Sequence, residues 1–266
     1  MISRFVCLCL LPLGLFLFTQ NPEEATHNAE WATRHAEYLS EPKIDETDSA
    51  LEITANAPRP LDGVLHELAR KHGWHINYED PVYAKSDVVD DTAPAWMKEH
   101  PLGPRALAVR GGTFHARIPV DGYFPEDPMQ VLPVLIGSYN RSGNPGTFEL
   151  LTTGDKSFDV VGIGAGDGPQ TPLLDTIMSF EGLEEDNANT TLEKFCAELS
   201  RRSGRVVVFA APPSANRLFQ THIRRRWDSS PARETLRALY EEIGSTFCWR
   251  LFYDPDTNRF WLRMDW

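Results

Sequence analysis

The chain uses one pattern twice. In the first copy Leu61, Val64, Leu65 and Leu68 precede Gly73, the run His75-Ile76-Asn77-Tyr78 and Pro81. In the second, Leu192, Phe195, Cys196 and Leu199 precede Gly204, the run Val206-Val207-Val208-Phe209 and Pro212. Leu61 and Leu192, Gly73 and Gly204, and Pro81 and Pro212 each lie 131 residues apart. Apolar residues at this spacing line one face of a helix. A glycine supplies the left-handed residue that ends it, an apolar run reads as a strand, and proline stops the strand. A duplicated helix–strand unit therefore restricts the fold to small α+β layers.

Each copy extends to both sides. The alternation Leu51-Glu52-Ile53-Thr54-Ala55 predicts a strand before the first helix, which is expected over Leu61 to His72 with Pro58 and Pro60 at its start. After Trp74 to Tyr78 comes a long segment, Asp80 to Arg110, rich in proline and acid. A strand over 111–120 follows. Asp127-Pro128 then opens a second helix with a capping box to Gln130, and Pro133 inside it predicts a kink or a delayed start. A hairpin closes the copy: Thr147 to Thr152, a Gly154-Asp155 turn, Ser157 to Val161. In the second copy a strand near Thr176 to Leu183 leads into a Thr190-x-x-Glu193 capping box and a helix over Leu192 to Ser203. Strands over Arg205 to Phe209 and Phe219 to Ile223, a helix over Pro231 to Ile243 and a hairpin over Phe247 to Tyr253 and Arg259 to Met264 complete it. In the second helices Leu132, Leu135, Ile136 and Tyr139 match Leu236, Leu239, Tyr240 and Ile243 at an offset of 104. The expected fold is thus two repeated small α/β-sandwich domains of split β-α-β type with terminal hairpins. The first spans 49–162, with an insertion over 80–110, and the second 173–266. A Gly/Pro linker over 163–172 joins them, and an acidic spacer over 22–48 precedes them.

Charge divides along the same boundary. The chain's formal net charge is −12, which argues against a general nucleic-acid binder. Residues 201–266 nevertheless hold 12 Arg and no Lys against 7 Asp and Glu. Arg201 and Arg202, with Arg224-Arg225-Arg226, read either as a docking patch for an acidic protein or as a solvated face paired within the molecule. At the other end, Arg4 followed by the apolar run Phe5 to Thr19 has the form of a signal peptide or N-terminal anchor over 1–21. An exported, periplasmic or envelope-associated location follows as an expectation, with membrane attachment only through this segment. Cys7 and Cys9 lie in that run. Cys196 takes the place of Leu65 and is expected in a core. Cys248, aligned with Glu149, is expected to face solvent, so no bridge between the two is expected.

The helix face and glycine of Pro60-Leu61-x-x-Val64-Leu65-x-x-Leu68-Ala69-x-x-x-Gly73 resemble the short N-terminal domain shared by secretins and TonB-dependent transducers. So do Leu192-x-x-Phe195-x-x-x-Leu199-x-x-x-x-Gly204 and the second-helix segment Ser230 to Leu239. The resemblance implies a non-catalytic periplasmic domain that binds protein partners. No secretin pore or barrel segment occurs within these residues, so what carries over is an exported interaction module with a protein partner in the cell envelope.

Enzymatic signals compete weakly. Val160 to Gly168, with glycines at 162, 164, 166 and 168, resembles the first loop of S-adenosylmethionine-dependent methyltransferases, which makes such an enzyme the alternative. Gly162 stands where that loop has an acid, however, and Pro169 and Pro172 follow where a helix should begin, so a linker is expected. His72-x-x-His75 offers too few ligands for structural zinc. His115 and His222 fall on comparable strands. No Gly-x-Ser-x-Gly, His-Glu-x-x-His or phosphate-loop pattern is present. No catalytic residue, cofactor or metal is therefore assigned. Tyr78, Glu79 and Asp80 join the five arginines as candidate partner-binding residues, Glu79 and Asp80 as turn contacts. Phe247, Trp249, Leu251 and Tyr253 alternate and are expected to form the buried face of the last hairpin.

Overall fold

A computed structural model describes residues 41–265 except 48, 57–58, 91–106, 110–111, 121–126, 154–156, 167, 212–215 and 245–246. The signal-like segment, Cys7, Cys9 and most of the 80–110 insertion lie outside the described residues. The fold is mixed α+β.

The first part begins with β1 (Lys43–Glu46) and β2 (Ala50–Ala55), then α1 (Pro60–His72), which Gly73 ends at φ 68°. Next come β3 (His75–Glu79), the short strands β4 (Val88–Asp90) and β5 (Leu107–Val109), and β6 (Phe114–Pro119). Helix α2 (Pro128–Asn140) is capped by Asp127, whose side chain accepts from the Met129 N–H. Strands β7 (Thr147–Thr152) and β8 (Ser157–Ala165) follow, and β9 (Gly168–Pro169) folds back on β8. Strands β1, β2 and β6 form a small antiparallel sheet, while β3 runs parallel to β8 and β7 antiparallel to it. Leu51, Ile53, Leu61, Leu65, Ile76, Leu132 and Phe158 share the core between these layers.

The second part has β10 (Ile177–Gly182), α3 (Ala188–Ser203), β11 (Val206–Ala210), the short helix α4 (Asn216–Gln220), β12 (Arg225–Pro231), α5 (Ala232–Ile243), β13 (Cys248–Asp254) and β14 (Arg259–Asp265). Strand β10 pairs antiparallel with β12, β11 runs parallel to β14, and β13 runs antiparallel to β14. Phe195, Cys196, Leu236, Trp249, Leu251 and Phe260 lie in its core, and Phe247 and Tyr253 with them.

A single ladder joins the parts. Strand β13 runs parallel to β3, with Arg250 opposite Tyr78 and Leu251 opposite Glu79. The result is one long sheet in the order β11-β14-β13-β3-β8-β7.

Several expectations are corrected. Lys43–Glu46, placed in the spacer, is a strand because its register with Thr54 to Leu51 completes the first sheet. The cap of helix α3 lies three residues before Thr190: Asn187 accepts from the Thr190 N–H at 3.0 Å, and the helix starts at Ala188. Part of the expected strand Phe219 to Ile223 is helix α4. Pro133 sits inside an unbroken α2. Residues 163–165 continue β8, and 168–169 pair with it, so the start of the expected linker is sheet. Cys248 is 7% exposed, because the join places β13 between β14 and β3 and covers both its edges. Both Cys196 and Cys248 are free thiols.

Candidate functional site

The join is where the chain concentrates its buried charge. Asn77, Glu79, Asp80, Asp159, Arg233 and Arg250 are all buried. Lone charges in such surroundings are costly, so they occur paired and hydrogen-bonded. Glu79 leaves the end of β3 and meets Arg233 from the first turn of α5, Nη2 to Oε2, at 2.6 Å. Its other oxygen accepts from the Leu174 N–H at 3.1 Å. Arg233 also reaches Asp175 at 3.2 Å and Asp159 at 3.5 Å. Arg237, one turn along α5, donates to Asp159 at 3.0 Å. Asp159 accepts from the Asn77 side-chain amide at 2.8 Å, and Asn77 Oδ1 accepts from the Trp249 N–H at 3.0 Å.

Asp80 anchors the other side. It accepts from Arg59 at 2.8 Å, the Tyr253 N–H at 2.9 Å and the Tyr78 hydroxyl at 2.8 Å, and its own N–H donates to the Leu251 carbonyl. Arg250 pairs with Asp62 at 2.9 Å and donates to the Ile76 carbonyl. Burial pushes the Glu79, Asp80 and Asp62 carboxyls above their usual range, with Arg233, Arg59 and Arg250 respectively opposing that rise. Both carboxylate oxygens of Glu79, of Asp80 and of Asp159 accept hydrogen bonds from protein donors. These bonds clamp the two parts together.

Tyr78, Glu79 and Asp80 thus belong to one cluster, but an internal one, not turn contacts on the surface. The five candidate arginines divide. Arg201 and Arg202 both reach Glu198, which they hold down to about 2. Arg224 pairs with Glu184 at 2.9 Å, Arg225 lies 3.8 Å from Glu242 and stacks over Trp227, and Arg226 pairs with Asp228 at 2.8 Å. Each has an internal carboxylate. The arginines that matter most for the join, Arg233, Arg237 and Arg250, were not among the sequence candidates. Arg233 and Arg237 share a turn of α5, and a pair of arginines beside apolar Leu236 and Leu239 is the one sequence signal they carry.

Two glycines of the glycine-rich run are closely packed. A Cβ on Gly162 would lie 2.2 Å from the Pro81 backbone nitrogen, and one on Gly164 2.9 Å from the Gly168 carbonyl oxygen. His72 stacks on Trp74, and His115 bonds Thr54. Among the described residues no three His, Cys, Asp or Glu side chains gather as a metal site, and no helix is long and apolar enough to cross a membrane.

The long sheet ends at β11 and β7, whose outer edges carry no further strand among the described residues. Both are partly sealed. On β11, Ser200 of α3 bonds the N–H and C=O of Val207 at 2.8 and 3.4 Å. On β7, Asn140 of α2 bonds the N–H and C=O of Phe148 at 3.0 and 2.8 Å. Backbone direction alternates along a strand, so the outward groups left open are those of Phe209 and Ala211 at one end and Leu150 and Thr152 at the other. No protein-family profile, curated protein or solved structure matches this chain.

Proposed function

We propose that the chain is a non-enzymatic, exported protein–protein interaction or assembly module that docks partners through a strand edge. The observation that carries this reading is the β3–β13 join: a strand edge accepting another unit's strand, with side chains from helices and loops fixing the register. Main-chain bonds of this kind give affinity, and the side chains around them give specificity. We read the two parts as duplicated units of the type shared by secretins and TonB-dependent transducers. Their element order and pairings support it: β2-α1-β3-β6-α2-β7-β8 against β10-α3-β11-β12-α5-β13-β14, with β2·β6, β3·β8 and β7·β8 answering to β10·β12, β11·β14 and β13·β14. On this reading β11 is the counterpart of β3, whose edge is the one in use. The saturated carboxylates and the close-packed glycines favour binding over catalysis.

A photo-crosslinking residue at Phe209, in the full chain expressed in a bacterial cell, tests it. Adducts should form in the envelope fraction from position 209 and not from exposed Ile177 on the other sheet. Absence of any adduct at 209, or recovery of the chain in the cytoplasm, would overturn the reading.

A further inference from the structure

We infer that the docking partner of the β11 edge is the β7 edge of a second copy of this chain, which gives a head-to-tail assembly. The inference rests on the two-unit reading. Within one chain the β13 edge of the second unit sits on the β3 edge of the first. The counterpart of β13 is β7, and the counterpart of β3 is β11, so the two open ends of the sheet are the same pair of edges. The windows match in size. The internal join is two residue pairs plus the Asp80 N–H donating to Leu251. Phe209 and Ala211 lie 131 residues beyond Tyr78 and Asp80. Leu150 faces Val160 across its hairpin as Leu251 faces Leu262, which makes Leu150 the acceptor opposite Ala211.

The side chains change together. At the internal join Glu79 meets Arg233. At the open ends the corresponding residues are Ala210 on β11 and Met129 on α2, at offsets of 131 and 104. Asn77 becomes Val208, and Arg237 becomes Pro133. A charged pair has an apolar pair in its place on both ends, so neither end leaves the other with an unpaired charge. Met129 is 44% exposed, and Ala210 is half-buried, so both present apolar surface at the ends. One contact opposes the union. The strand registers make Arg250, not Cys248, the counterpart of Glu149; Arg250 and its partner Asp62 thus correspond to Glu149 and Glu193, both exposed, which face each other as two acids. Like charges across an interface weaken it and limit spontaneous growth, and the Ser200 and Asn140 seals act the same way. The contact joins unlike edges, so it produces chains or rings rather than a closed symmetric dimer.

Sedimentation velocity on the full chain over a concentration series tests this. Mass should rise with concentration. Ala211→Pro, which removes the N–H opposite Leu150, and Met129→Glu, which places a charge against Ala210, should each be monomeric alone, with unchanged far-UV circular dichroism. Mixed, they should form a dimer, because each retains the end the other lacks. Glu149→Arg should tighten association about tenfold or more by meeting Glu193 as Arg250 meets Asp62. A wild-type chain and a Glu149→Arg chain that both stay monomeric, or a mixture that stays monomeric, would overturn it. If the Phe209 crosslinks go to a different protein while the chain is monomeric, the second copy is excluded and strand-edge docking stands; no crosslink removes both.

Discussion

At the scale of single residues, the clamp is asymmetric. Arg233 has Glu79, Asp159 and Asp175 as partners, whereas without Arg233 Glu79 keeps only the Leu174 N–H. Glu79→Gln retains an acceptor for that N–H and leaves Arg233 with two carboxylates. Arg233→Met strands a buried carboxylate, a change that costs about 3–5 kcal/mol. Urea unfolding should therefore rank Arg233→Met as clearly more damaging than Glu79→Gln. The variant's deficit should also depend on pH. Burial already raises Glu79, and loss of Arg233 raises it further. A carboxyl raised in the folded state contributes stability below its unfolded value and loses it as pH rises through the folded value. The gap between Arg233→Met and the native chain should widen as pH rises past the native Glu79 value, which already lies above the ordinary glutamate range. A constant gap would show that Glu79 does not ionise against Arg233. On the exposed surface the sign reverses. Arg201 and Arg202 lower Glu198, so its small contribution is present above its unfolded value and fades as pH falls toward about 2.

At the scale of elements, glycine and cap positions separate what spacing can show from what it cannot. Gly162 is internal to β8, and its missing Cβ makes room for the Pro81 backbone from another element. Gly162→Ala must displace Pro81 or β8. It should lower the denaturation midpoint more than Asn187→Ala, which loses one helix cap worth about 1 kcal/mol; an alanine there with no effect would place Pro81 elsewhere. Helices α1, α3 and α5 were legible because apolar spacing and their terminal Gly73 and Gly204 are local signals. Core positions of the last hairpin were legible too, from strict alternation. Local pattern failed where pairing decides. Lys43–Glu46 has no strong β composition and is a strand because β2 offers it an edge. The run at 162–165 looked like a loop because Gly162 answers a contact from Pro81, far along the chain, and Gly164 the fold-back of Gly168. Cys248 looked exposed because alternation within a hairpin carries no information about a third strand, β3, lying against it. The clamp itself was half legible: Glu79 and Asp80 stood out as acids at a strand end, but their partners Arg233 and Arg59 lie 154 and 21 residues away.

At the scale of the whole molecule, the continuous sheet makes the two parts depend on each other. Apart from the join, each part has its own core, and two cores could unfold in two steps. The clamp opposes this, because separating the parts exposes β3 and β13 and leaves Arg233, Glu79, Asp80 and Arg250 without their cross-join partners. Tyr83, from the first part, also packs in the second core, and Gln170 bonds both the N–H and C=O of Val82. Cooperative single-step unfolding is therefore expected, seen as coincident urea transitions by far-UV circular dichroism and by tryptophan fluorescence, which reports on Trp74 in one core and Trp227 and Trp249 in the other. Arg250→Met should separate the transitions. It removes the pair with Asp62 and the bond to Ile76, which hold β13 to the first part, while leaving the β13–β14 ladder in place. Transitions that already diverge in the native chain would mean that the ion clamp fixes orientation without coupling stability, and that the join is an interface between independently folded units rather than the middle of one sheet.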